Sequence, residues 1–355
     1  IRKETTPTYL GEDVSKGLVY DNGDATKIKK LKIPSVKDAM TLAKKMKITS
    51  GELMWLSYHA GVSTVNHYHD FSIPKRSGGV RKLSSPKPLL RIAQKWILDN
   101  ILSKIKIEKS AMGFRKKKSI VDNANIHKNS EVVIRMDLKN FFPSINFKRV
   151  KGMFFSFGYS EAISTILALI TTKSTIKEIN FNEKKYFVSI DDRRLPQGAC
   201  TSPYISNIIA RGLDRRVSSL SIKAKYNYTR YADDLVLSSK NKDTEVGRMI
   251  KLIKFIIHEE DFVLNDKKTT VMYKHHRQVV TGIVVNNGLK ISRRDLRNFR
   301  AFLHQYKNNG KIKMTKKIGR DANAYLLGYL SFVNQVNKKQ SEKILAENSW
   351  INKIK

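Results

Sequence analysis

The sequence predicts an α+β fold in which helices back an antiparallel sheet, and three observations carry that expectation. Lys225-Tyr226-Asn227-Tyr228-Thr229-Arg230-Tyr231 alternates tyrosines with polar residues, turns at Ala232-Asp233-Asp234 and resumes as Leu235-Val236-Leu237, which is the pattern of a β-hairpin. Val132-Val133-Ile134-Arg135-Met136-Asp137 is a second strand-like run, rich in β-branched residues and ending in an acid. Around both, apolar residues recur at three- and four-residue spacing from Leu89 to Ile105, from Ile205 to Leu220 and from Val246 to Ile257, as in amphipathic helices.

With 355 residues the chain suffices for a large core and two or three subdomains. Its 68 lysines and arginines against 31 acids give a net charge of +37, which calls for a polyanionic partner. Nucleic acid fits best, and an anionic membrane surface is the competing reading. No apolar run approaches the ~20 residues of a membrane span. The opening residues lack the apolar core of a signal peptide, so a cytoplasmic protein is expected. The single Cys200 excludes an intrachain disulfide and a thiolate zinc cluster.

In chain order, residues 1–34 read as an extended arm with a basic cluster from Lys27 to Lys32. Ser35-Val36-Lys37-Asp38 resembles a capping box opening a helix through Ala39, Met40, Ala43 and Met46, and Thr49-Ser50-Gly51-Glu52 opens another that stops by Gly61. Gly78-Gly79 between basic flanks marks a hairpin carrying Lys75 and Arg81; a solvated basic turn has the same pattern. The helix from Leu89 to Ile105 follows. The loop Gly113 to Ser119, with Arg115, Lys116 and Lys117, is suited to template phosphates, although most charge runs simply face solvent. His127 reads as a structural hydrogen-bonder. Residues 173–194 look like an insertion with its own hairpin. In Leu195 to Pro203, proline and glycine fix a turn from which the Gln197 amide can reach a nucleotide's sugar or base. Val279 to Val285 reads as a strand.

From Asn286 on the chain is helical and basic, with 16 lysines and arginines against four acids. Ser292-Arg293-Arg294-Asp295 looks like a capping box for a helix running to about Lys307, before Gly310. Leu296, Phe299, Leu303 and Tyr306 form its packing stripe. Arg293, Arg297, Arg300, His304 and Lys307 form the neighbouring stripe, which suits the phosphates of an RNA stem whose deep groove resists base reading. A second helix spans Ala324 to Val336.

The acids carry the chemistry. Two adjacent aspartates at a hairpin tip repel unless a cation sits over them, and clustered oxygens suit Mg²⁺; a plain Asp-Asp turn is the alternative. Asp137, from a separate segment, tips the balance, because two-metal phosphoryl transfer needs carboxylates from different segments to hold two ions about 4 Å apart.

Tyr231-Ala232-Asp233-Asp234 resembles the catalytic box of reverse transcriptases. Asp137 with Phe142 five residues on looks like their first metal motif, and Leu195-Pro196-Gln197-Gly198-Ala199-Cys200-Thr201-Ser202-Pro203, with Asn207 beyond, is similar to the segment beneath the incoming nucleotide. Asn123-Ala124-Asn125-Ile126-His127 and Val280-Thr281-Gly282 look like the signatures of the retron branch. The resemblance covers roughly residues 65–335. It implies a right-hand polymerase fold: an N-terminal arm and helices in 1–60, fingers in 61–130, an antiparallel-sheet palm in 131–285 with a fingers-like insertion at about 150–194, and a helical RNA-binding thumb in 286–355.

The activity implied is RNA-directed DNA polymerisation, with Asp137, Asp233 and Asp234 as catalytic residues and ligands of two Mg²⁺. Lys75 and Arg81 match residues that grip the triphosphate. Phe142 matches the gate that rejects a 2′-hydroxyl, a core phenylalanine being the alternative. Lys268, within Leu264-Asn265-Asp266-Lys267-Lys268-Thr269, matches a lysine near the leaving pyrophosphate. Implied partners are dNTPs, a structured non-coding RNA serving as template and primer, its branched RNA-DNA product (multicopy single-stranded DNA) and an effector protein of an anti-phage system, with no membrane. Cys200-Thr201 departs from the smaller residues expected there. After Val285 only Asp295, Asp321, Glu342 and Glu347 are acidic, which leaves no ribonuclease H cluster. A group II intron-type enzyme needs more domains than the residues after Val285 provide, and Pro196-Gln197-Gly198 disfavours a diversity-generating enzyme. A non-catalytic RNA-binding scaffold would not need all three aspartates.

Overall fold

The computed structural model describes residues 10, 11, 14, 18, 23–75 and 78–354. Most of the N-terminal arm, and Arg76 and Ser77 at the basic hairpin's tip, lie outside the described residues. Helices mix with antiparallel strand pairs, an α+β architecture. Two compact units divide the chain: one of residues 1–109, 138–215 and 256–263, the other of 110–137, 216–255 and 264–355.

In the first unit, the helix Ala39–Met46 is capped by Asp38 and not by Ser35: the Asp38 carboxylate accepts from Thr41 N at 2.7 Å, which makes the longer box unnecessary. Thr49 and Glu52 form the expected reciprocal box on Ser50–Ser57. Strands Tyr68–Pro74 and Val80–Pro86 make the basic hairpin. The insertion folds as Ile176–Phe181 paired with Lys184–Ser189, and Val62–Ser63 joins as a third strand. Helix Pro88–Asn100 buries Leu90, Ala93 and Ile97, while Glu161–Thr171 is buried along nearly its whole length. The helix expected from Ile205 to Leu220 is two, Ser202–Ile209 and Arg211–Lys223. Ala210 closes the first at ψ 7°, and at the start of the second the Glu260 carboxylate packs against Gly212, 2.3 Å from where a Cβ would stand.

The second unit is built on a four-stranded antiparallel sheet in the order Asn227–Tyr231, Asp234–Ser239, Val132–Asp137, Thr270–Tyr273. Val133 and Val236 from this sheet share one core with Val280, Ile283, Phe299, Leu326, Leu330 and Val333. The single strand expected at Val279 to Val285 is instead a tight hairpin, Val279–Val280 against Ile283–Val284. Thr281 (φ 46°) and Gly282 (φ 84°) turn it, since positive φ at both central residues matches the twist of the flanking strands. Ser292 caps the helix Arg293–Ile318 as expected, with Asp295 N donating to Ser292 Oγ at 3.1 Å. The helical stretch breaks at Gly310 as expected, where the backbone is non-helical (φ 73°, ψ 172°); a further helical segment runs on to Ile318, followed by Ala322–Val336 and Lys338–Glu347. Among the described residues, no helix is long and apolar enough to cross a membrane.

Candidate active site

All three aspartates belong to the second unit. Asp137 ends its strand directly opposite Asp234, which begins the neighbouring one, so their Cβ atoms stand about 4.5–5.5 Å apart. Tyr231 pairs with Asp234, which leaves Ala232 and Asp233 as a two-residue turn. Ala232 sits at φ 59°, a left-handed conformation that an L-residue adopts at a cost of about 1–3 kcal/mol and that surrounding structure must enforce. Two features enforce it. Arg230, fully buried, donates from Nη1 to Ala232 O at 2.9 Å. The 110–113 segment runs alongside, with Met112 N bonded to Arg230 O at 2.7 Å and Arg230 N to Ser110 O at 2.8 Å. The approach is so close that a Cβ on Gly113 would lie 2.9 Å from Ala232 N.

The electrostatics are those of an anion cluster under strain. Burial raises the Asp233 carboxyl above its ordinary range, and the charges of Asp234 and Asp137 add to the effect. Burial also raises Asp234, against the pull of Arg135. Arg135 forks onto Asp234, with Nη2 at 2.9 Å from both oxygens and Nε at 3.2 Å from Oδ1. Asp137 is held by the 264–268 segment: Asn265 N donates to its backbone carbonyl at 2.8 Å, Asn265 Nδ2 to Oδ1 at 3.1 Å, and Lys268 Nζ to Oδ1 and Oδ2 at 3.0 and 3.1 Å. Lys268, expected beside a nucleotide, thus sits on the Asp137 carboxylate. Among the described residues, no three His, Cys, Asp or Glu stand as a ready metal cluster; Arg135 and Lys268 supply the positive charge instead. The donor set still fits the divalent ion that the resemblance implies: it is all carboxylate oxygen, and burial, with the neighbouring carboxylates adding to it, raises Asp233 and Asp234 in a way that a cation over them would relieve.

Both signature segments meet on one helix, Ile120–Ile126. His127, at its C-terminal end and fully buried, has Nδ1 at 2.8 Å from Ser238 Oγ and Nε2 at 2.7 Å from Thr229 Oγ1. It therefore ties together the two strands that carry Asp233 and Asp234 at their turn. Burial pushes its pKa down to about 3, so the ring is neutral. Thr281 Oγ1 donates to Ile120 O at 3.0 Å, which docks the Val280-Thr281-Gly282 turn on the opposite end of the same helix. Asn123 and Ala124 are fully buried, and both polar atoms of the Asn123 amide lack a hydrogen-bond partner among the described residues.

Lys75, Arg81, Phe142 and Gln197 belong to the first unit. Lys75 and Arg81 are exposed on the basic hairpin, where Arg81 pairs with Ile73. The Gln197 loop lies against that hairpin: Ser84 N donates to Gln197 O at 2.7 Å, and Gly198 (φ 112°) has its Cβ position only 2.9 Å from Ser84 O. Phe142 is half-buried in a separate aromatic stack, 5.5 Å from Phe141, which in turn packs on Phe262. In the second unit, Lys116 and Lys117 are exposed, but Arg115 is half-buried and donates to Ala111 O at 3.1 Å within its own loop. Arg293, Arg297, Arg300, His304 and Lys307 all lie along one helical stretch, and all five are exposed. Sequence reasoning passed over Arg135, Arg230 and Asn265. Arg135 carried a signal, since two residues before Asp137 on a strand is the same face.

A hairpin aspartate pair set against a third strand-end aspartate, with cations on two of the three, is the carboxylate arrangement expected of a template-directed nucleotidyl polymerase. The family described as reverse transcriptase (RNA-dependent DNA polymerase) matches residues 73–341. The chain is 35% identical over 326 residues to the retron Mx162 reverse transcriptase of Myxococcus xanthus, covering 87% of this chain and 66% of that one. It is 34% identical to the retron Mx65 enzyme of the same organism (90% and 73% covered) and 28% identical to the retron Ec86 enzyme of Escherichia coli (92% and 92%). Among solved structures, apo telomerase from Candida tropicalis overlays 77% of this chain and 59% of its own, with a TM-score of 0.45 at 12% identity. The chain belongs to the retron reverse transcriptases, and its chemistry is RNA-directed DNA polymerisation.

Proposed function

We propose that the chain reverse-transcribes one structured non-coding RNA that serves as both template and primer, starting from a 2′-hydroxyl and yielding branched RNA-DNA, multicopy single-stranded DNA. It would do so in the cytoplasm, in an anti-phage system with an effector protein. The observation that carries the reading is that Asp137, Asp233 and Asp234 sit on one sheet whose strands His127 braces, while the helix ending at His127 also receives the second retron-like signature through Thr281. Asp137, Asp233 and Asp234 would hold two Mg²⁺, which when bound neutralise phosphate charge and activate the attacking hydroxyl. The remaining work falls to the chain's own groups. Asn265 fixes the orientation of Asp137, and Arg135 holds Asp234. Lys268 is a cation already placed at Asp137 and is assigned to the leaving pyrophosphate. Lys75 and Arg81 offer exposed charge to the triphosphate, Gln197 an amide to the nucleotide, and Phe142 a ring that excludes a 2′-hydroxyl.

The exposed stripe of Arg293, Arg297, Arg300 and Lys307 reads RNA shape through phosphates, helped by Lys116 and Lys117 and, less directly, by Arg115. In this reading residues 61–130 are fingers, 131–285 palm and 286–355 thumb.

Sequencing the nucleic acid that co-purifies with the protein tests the proposal. A single RNA joined to DNA through a 2′ branch is expected, whereas RNA without attached DNA, together with no nucleotide incorporation, identifies a scaffold. In the same assay Phe142→Ala should admit ribonucleotides while still using deoxynucleotides. Unchanged sugar discrimination in the folded variant would make Phe142 a core residue.

A further inference from the structure

The first unit holds a cavity of about 80 Å³, well above the ~10–15 Å³ that one water needs. Lys173, Arg193, Asn66, Ser174 and Ser189 line it together with two histidines, and no aspartate or glutamate does. Arg193 has no acidic partner among the described residues. Its Nη2 donates to Leu169 O and Thr172 O at 2.6 and 2.5 Å and its Nε to Thr172 Oγ1 at 3.3 Å, which leaves Nη1 without an acceptor among the described residues. Lys173 gives one proton to Asp70 and one to Ser84 Oγ at 3.2 Å, so a third is free. Ser174 and Ser189 share a single hydrogen bond at 3.0 Å, so one of their two hydroxyl protons is unused.

Lys173, Arg193 and Ser189 are half-buried, so these donors open onto the cavity and can be offered to a ligand there. Burial lowers the Arg193 guanidinium to about 10 and lowers His67, so the ring beside it is neutral. The Tyr68 phenol is raised by burial and is likewise no counter-ion. Asp70 offsets the charge of Lys173 but nothing acidic among the described residues offsets Arg193, so the cavity is net positive, and donors from a planar fork, an ammonium and a hydroxyl suit a tetrahedral oxyanion, which accepts from several directions at once.

We propose that this cavity binds a phosphate group through Arg193 Nη1, Lys173 Nζ and the Ser174-Ser189 hydroxyl pair. The phosphate is either free or part of a nucleic-acid backbone, the recognition chemistry being the same. The inference does not depend on how the RNA is primed or copied.

The test is thermal melting of the full chain against inorganic phosphate at constant ionic strength, with chloride as the reference. Wild type should melt a few degrees higher at saturating phosphate, with a saturable dose dependence. Arg193→Gln should lose that response. If Arg193→Gln misfolds, Ser189→Asp provides the second arm: a carboxylate placed in the cavity should abolish the phosphate response and leave the fold intact. Repeating the titration with saturating RNA separates the sources, since loss of the response places an RNA phosphate in the cavity and its persistence assigns the site to a free phosphate. A wild-type response no larger than that to chloride overturns the proposal, as does an equal response in wild type and either folded variant.

Discussion

The hairpin at the centre of the second unit carries two polar clusters built on opposite principles. At its tip, three carboxylates are desolvated, repel one another and are only partly compensated by Arg135 and Lys268. Toward its base, His127 is fully buried, neutral and satisfied on both ring nitrogens. One cluster stores unfavourable charge that a bound cation would relieve, and the other removes charge altogether to clamp two strands. The difference teaches where this hairpin spends its stability: the base is held firmly so that the tip can be held badly.

Neutralising the tip should give the largest effect. Asp233→Asn is expected to lower primer extension by about a thousandfold or more, as removal of metal-borne charge stabilisation implies. Melting should stay level or rise slightly, because the group removed is a desolvated carboxylate among like charges. Retention of more than about a tenth of wild-type synthesis would remove Asp233 from the catalytic set.

Acid should break the base next. His127 has a folded value of about 3 against an ordinary 6.5, so between those values the unfolded chain binds a proton that the folded chain does not. Its contribution is therefore whole above pH 6.5 and is lost as pH falls toward 3, at about 1.4 kcal/mol per pH unit, or roughly 2 kcal/mol by pH 5. Asp233 and Asp234 run the other way. Their raised values favour the folded state below the ordinary 3.8, and that contribution disappears as pH rises through the folded values. Denaturant melts at pH 7 and pH 5 should show a shallower acid loss in His127→Gln than in wild type; equal losses would show that the ring takes up its proton without unfolding.

The smallest effect on stability belongs to a third, fully solvated cluster. Replacing Arg293, Arg297 and Arg300 with Gln should reduce the log-log salt slope of RNA binding by about one unit or slightly less for each phosphate no longer neutralised. Stability should move by less than about 1 kcal/mol, since exposed charges contribute little to folding. Wild-type affinity and salt dependence in the triple variant would shift the reading role to Lys116 and Lys117.

The two ends of the hairpin and their braces are unequally legible in the amino-acid sequence. Alternation marks the strands, and adjacency of two acids marks the tip, because those signals are local. What braces them is not: Arg135 meets Asp234 across 99 residues, Asn265 meets Asp137 across 128, and His127 meets Thr229 and Ser238 across 102 and 111. Nothing in a local pattern announces such partners. The Thr281-Gly282 turn is hidden for another reason, since Val279-Val280 and Ile283-Val284-Val285 read as one β-branched run whose interruption is only two residues long. The break at Gly310 is legible for the opposite reason, since a glycine that takes a positive φ is a local signal for the end of a helix.

The close approach of Gly113 to the turn bearing Asp233 also has a meaning for how this chain can vary. A side chain of any size at position 113 would press on Ala232 N, in the peptide one residue ahead of Asp233. Drift elsewhere in the 110–119 loop can change its charge or length of reach, but position 113 is closed to every alphabet letter except one. A deep mutational scan read out by polymerase activity should therefore find Gly113 as intolerant as the aspartates, though it carries no side chain with which to touch a substrate.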